Sequence, residues 1–150
     1  MEIIRRKSFI FLLISLTYLV LVCVLKWNIH PVVGTFLFIG GGVIGVYFLD
    51  IAEALFAITP SPFRSIVFVA LFALVALFIV TSSGSHFAAG LVLSLFLTIL
   101  LWQIGQWQIQ KHLDDWYRMI AGPVSTPIQA WILVVSVVVF IIETLLFIRW

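Results

Sequence analysis

The chain has 150 residues, 64% of them hydrophobic and only 9% charged, with a net charge of +2 and a single cysteine. A soluble domain carries roughly 25% charged residues to cover its surface, so an ordinary soluble module is excluded, and a net charge this small, with no basic block beyond Arg5-Arg6-Lys7, gives no argument for nucleic acid as a partner. The lone Cys23 excludes an internal disulfide and a cysteine metal cluster.

The expected architecture is therefore all-α: one polytopic membrane helical bundle over residues 1–150, with about five transmembrane helices, since about 20 apolar residues cross a bilayer. In chain order, a short basic segment, Met1 to Lys7, precedes a first span from Ser8 to Leu25. A basic segment before an apolar run also describes a signal peptide. Here the run is long and no small-x-small cleavage site precedes Lys26, so we read a retained span. Lys26 to Pro31 forms a polar turn, in which Trp27 suits an interface and Pro31 can start the next helix.

The second span, Val33 to Ile58, carries Gly40, Gly41, Gly42 and Gly45 near its middle, and Asp50 and Glu53 toward its end. Gly41 and Gly45 have the GxxxG spacing that lets another helix approach backbone to backbone. Carboxylates at such a depth must face protein, water or a partner rather than lipid. This helix is accordingly expected to be the inner one, with the others around it.

Thr59 to Pro62 breaks the helix, and a third span follows from Ser65 to Val80. Thr81 to Ser85 reads as a tight uncharged hairpin. The fourth span starts at His86 and carries Gly90, Ser94 and Thr98 at four-residue spacing, a small-residue face expected to oppose the glycines of the second. It continues past Leu101 as an amphipathic stretch with a glutamine ladder, Gln103, Gln106 and Gln110. Lys111 to Arg118 is expected to lie at the interface with aromatic anchors. Ser125-Thr126-Pro127 then opens a fifth span from Ile128 to Ile148.

Lysine and arginine set the orientation. With the amino terminus in the cytoplasm, the inner side holds Arg5, Arg6, Lys7, Arg64, Lys111 and Arg118, and the outer side only Lys26 and Arg149. The carboxyl terminus is then outside, and the expected location is a bacterial inner (plasma) membrane.

Three polar groupings are candidate sites. Asp50 and Glu53 share a helix face and, with His112 and the neighbouring Asp114 or Asp115, could hold a hard or borderline divalent metal. The alternative is that they pair with Arg64 or Lys111 at headgroup depth. His86 and Glu143, both toward the outer end, are candidates for a proton-titrating couple. Alternatively, His86 caps the fourth helix and Glu143 is drawn to the interface or Arg149. The glutamine ladder could meet a polar headgroup or a partner helix, or be wetted surface.

The runs YFLDIAEALF, FIVTSSGSHFAAGLVLSLFL, LDDWYRMI and PVSTPIQAW, from about Gly40 onward, resemble small bacterial membrane proteins that are similar in turn to the membrane-bound metal-dependent hydrolase-like family. That resemblance implies an acid-plus-histidine element on an early helix and histidine with aspartate on a later one. Asp50 fits the first acid. Glu53 stands where the histidine is expected, and Thr98 and Trp102 occupy the later positions.

No nucleophile elbow, phosphate loop or dinucleotide fingerprint occurs in the sequence. The leading reading is a structural or assembly subunit that packs through its glycine and small-residue faces, including Gly41, Gly45 and Gly90. Its expected partners are the bilayer and either further copies of itself or the other subunits of a membrane complex. The alternatives are a membrane-embedded metal-dependent hydrolase-like protein and a small oligomeric transporter or channel. No organic cofactor is expected.

Overall fold

The computed structural model describes residues 2–27, 32–56, 65–117 and 125–149; the side chains of residues 2–9, 27, 32, 49–50, 52–54, 56, 83 and 114–115 lie outside that description. Among the described residues the chain is all α, with five long helices and no strand. These are α1 (Glu2–Trp27), α2 (Val32–Phe56), α3 (Ile66–Phe78), α4 (His86–Gln110) and α5 (Thr126–Arg149). Two of them, α4 and α5, are long and apolar enough to cross a membrane.

Local chemistry sets the helix ends. Ser65 and Ser85, both extended, accept from the amides of Phe68 and Ala88 and so satisfy first-turn donors of α3 and α4. The segment expected to be a tight hairpin is instead largely helical: α3 runs on through a π-helical turn, Ile79–Ser83. The chain reverses only at Gly84, whose φ of 65° is left-handed and suits glycine. Lys111 ends α4 in the same conformation, with its amide bonded to the Trp107 carbonyl.

Side-chain contacts fix the directions. Gly34 lies against His86, Gly90 against Phe38, and Gly45 against Leu91 and Ser94, so α2 and α4 run parallel. Tyr18 meets Thr144 and Lys26 meets Phe147, so α1 and α5 are parallel too. Phe11 packs on Trp102 while Lys26 shares a cavity wall with His86, which sets α1 antiparallel to α4. The start of α1 and the end of α4 therefore share one end of the bundle. Lys26, His86 and Arg149 lie at the other.

The inner helix is α4 rather than α2. Most of α4 from Ala89 to Gln103 is buried, whereas α2 keeps an exposed apolar face that includes Val33, Phe36, Ile44, Ile51 and Leu55. The reason is the distribution of small residues. Gly90 lets α2 come against one side of α4, while Phe96 and Leu93 fill the sides that meet the other helices. A relay of rings, Phe68, Phe72, Phe96, Phe140 and Tyr18, crosses the bundle from α3 through α4 and α5 to α1, with centroids 5.3–6.0 Å apart. Such spacings are the preferred range for aromatic pairs.

Beyond α4, Asp114–Tyr117 forms one 3-10 turn. Trp116 and Tyr117 were expected to anchor at an interface. They are instead buried with Leu113 against Val69, Leu95 and Ile99. Burial pushes the Tyr117 phenol above its usual range. The turn is pinned by Gln129 of α5, whose side-chain oxygen accepts from the Leu113 amide at 2.7 Å in a buried position. Gln129→Leu leaves that amide without a partner, so we expect a loss of about 1–3 kcal/mol in denaturant unfolding.

Candidate functional site

Polar chemistry is concentrated at three levels of the bundle. At the end where α1 begins, Gln106 of α4 accepts from the Trp116 indole N–H at 2.8 Å and donates to Gln110 at 3.1 Å. Phe11 of α1 meets Trp102 edge to face, with centroids 5.3 Å apart and planes at 81°. Phe11, Trp102, Gly105, Gln106 and Gln110 line a cavity of about 440 Å³. Of the glutamine ladder, Gln103 is buried with its carbonyl oxygen unbonded, Gln106 is half-buried and Gln110 is exposed.

At the opposite end, Lys26 donates to the Phe147 carbonyl of α5, and its ammonium sits 4.2 Å from the centre of the Phe147 ring. A cation on the last turn of α5 complements the negative end of that helix. Lys26, Thr81, Ser85 and His86 border a second cavity of about 320 Å³.

Between the two ends lies Glu143. It is 1% exposed, and neither carboxylate oxygen has a hydrogen-bond partner. The period of α5 places it on the inward stripe with Phe140 and Phe147. Its neighbour Thr144 donates to the Phe140 carbonyl, so the 2.7 Å bond between Thr144 and Tyr18 takes its proton from tyrosine.

The residues singled out by sequence are placed as follows. His86 does not cap α4, because Ser85 does; its ring covers Gly34, 3.1 Å from where a Cβ would stand. Glu143 bonds neither to His86 nor to Arg149, and it sits in the interior rather than at an interface. The side chains of Asp50 and Glu53 lie outside the described residues, as do those of Asp114 and Asp115. His112 follows Lys111 and is half-buried. Among the described residues no three of histidine, cysteine, aspartate and glutamate come together as a metal site.

The glycines divide by face. A Cβ at Gly41 would strike the Phe87 carbonyl, one at Gly45 would lie 2.5 Å from the Leu91 oxygen, and one at Gly90 would strike the carbonyl of Phe38. Gly42 faces Leu19 of α1, while Gly40 meets nothing within 4 Å.

Sequence reasoning missed the Gln129 tie, the Tyr18–Thr144 bond and the cavity beside Trp102. A glutamine just inside the start of an apolar run was a signal for the first. The Tyr18–Thr144 bond and the Phe11–Trp102 contact join residues over 90 positions apart and left no local trace, whereas the glutamine ladder that lines the cavity was visible.

Comparison with protein-family models, with curated proteins and with solved structures finds no match to this chain.

Proposed function

We propose that the chain is an integral membrane protein of five spans, with its amino terminus in the cytoplasm, acting as a structural or assembly subunit. The observation that carries this reading is the outward face of the bundle. Exposed positions on α5 include Ile128, Trp131, Val134, Val135, Val138, Ile141, Ile142 and Leu145, and α3 exposes Leu71, Leu74, Val75 and Phe78. Soluble monomers rarely expose apolar patches beyond a few hundred Å², so such faces call for lipid or another protein.

Orientation rests on the cations. Lys111 ends α4 at the end where α1 begins, and Lys26 and Arg149 lie at the other, so the lysine and arginine asymmetry follows the two ends of the bundle. Two exposed positions test it. Ser82→Cys should react with a membrane-impermeant maleimide from outside, and Gln108→Cys only after the cytoplasmic face is opened. Reaction of both from one side would overturn the five-span topology.

The assembly reading draws support from how α5 is used. It turns only Gln129, Phe140, Glu143 and Phe147 fully inward and leaves a broad apolar face for a second copy or another subunit. Native mass spectrometry from a mild detergent should show a multiple of the 16.9 kDa chain or a stoichiometric partner. A lone chain at every concentration would end this reading. Glu143 favours a second reading, a small proton-coupled transporter, because an ionisable residue inside a membrane protein is by default a functional candidate.

A further inference from the structure

The cavity between the start of α1 and the end of α4 is built differently from the rest of the molecule. Two rings, Phe11 and Trp102, stand at right angles and form two walls of a corner. Among the described residues, amides supply the polar part of the lining: Gln106, Gln108 and Gln110. The relay from the Trp116 indole through Gln106 runs donor to acceptor and stops at the Gln110 oxygen. It fixes Gln106 in one orientation and leaves the Gln110 amide nitrogen with its donors at the cavity edge. Gly105 provides the space, since a Cβ there would meet nothing within 4 Å.

A side-chain amide offers both donors and acceptors, which matches adjacent hydroxyls on a ring. Aromatic walls suit the C–H faces of such a ring. The volume of about 440 Å³ lies within the ordinary range of ligand pockets.

We propose that this cavity binds a polyhydroxylated ring, a hexose or cyclitol, held by the Gln106 and Gln110 amides against Phe11 and Trp102. The ring could arrive as a lipid headgroup or as a free sugar. The lipid source rests on the membrane reading, whereas binding of a free sugar does not. A failure of the membrane reading would show separately, as a chain that stays dispersed without detergent.

The test uses the full chain in detergent, followed by native mass spectrometry. The probes are a glucosyl diacylglycerol, diacylglycerol and phosphatidylcholine with the same acyl chains, and methyl glucoside as competitor. The glucosyl lipid should be retained about tenfold more strongly than the other two, the equivalent of one or two net hydrogen bonds. Gly105→Leu fills the cavity and should remove that preference while leaving the helix content unchanged. Gln110→Leu lies at an exposed helix end and should reduce it several-fold, so it decides the matter if Gly105→Leu misfolds. Displacement by methyl glucoside identifies the ring alone as the ligand; retention without displacement identifies the lipid, and either supports the site. Equal retention of all three lipids together with no methyl glucoside binding would overturn it, as would a preference that survives in both variants.

Discussion

Gly41→Ala and Gly40→Ala, one residue apart on α2, are expected to change stability in opposite directions. The Gly41 position faces the Phe87 carbonyl of α4, and an added methyl would overlap backbone that no rotamer change can move. Relief requires the two parallel helices to separate along the seam that also holds Gly45 and Gly90. Overpacking that forces backbone to shift costs about 1–3 kcal/mol, and a carbonyl with no room to move puts this site at the upper end. Gly90→Ala meets the Phe38 carbonyl from the other side and should cost as much. At Gly40 nothing lies within 4 Å, so alanine there only removes backbone freedom from the unfolded chain. That should stabilise by about 0.5–1 kcal/mol. Unfolding in detergent micelles, followed by circular dichroism, measures all three. A Gly41→Ala variant as stable as the parent would mean that α2 and α4 are not in backbone contact.

The contrast also shows what a sequence can disclose here. Gly41 and Gly45, four residues apart in an apolar run, announce that some helix comes close to α2. They do not say which of Gly40, Gly41 and Gly42 faces it, because adjacent helical positions point about 100° apart. Helix number is readable from composition, and Ser65, Gly84 and Ser85 mark ends by local chemistry, although the helical path of α3 runs past the expected start of its hairpin. The identity of the inner helix is not. Both α2 and α4 carry small residues, and only the packing shows that α4 is enclosed while α2 keeps an outward face. Trp116 and Tyr117 show the same limit from the other side: aromatic residues after a helix suit an interface, yet the Gln129 tie folds that turn into the core. The candidate sites were less legible still. Glu143 stood out as an acid in a span, but its depth depends on the inward stripe it shares with Phe140 and Phe147.

Glu143→Leu should make the protein more stable. A carboxyl group in the interior, with neither oxygen hydrogen-bonded, forfeits its hydration without compensation. Leucine has comparable bulk and no polar atom, so replacing the acid should gain about 1–3 kcal/mol. Tyr18 and the adjacent Thr144 already satisfy each other and the Phe140 carbonyl, so neither is orphaned by the change. A structural subunit has no use for such a cost, and in that case the leucine variant should keep its oligomer size and partners. In a proton-coupled transporter the acid is retained for its proton. The leucine variant would then be more stable yet lose pH-driven uptake in liposomes, and Glu143→Gln, which keeps the shape, would lose it too. Uptake by the parent that both variants abolish would displace the assembly reading. A leucine variant that unfolds more easily than the parent would show that Glu143 has a partner in the native state and that its burial is not the liability argued here.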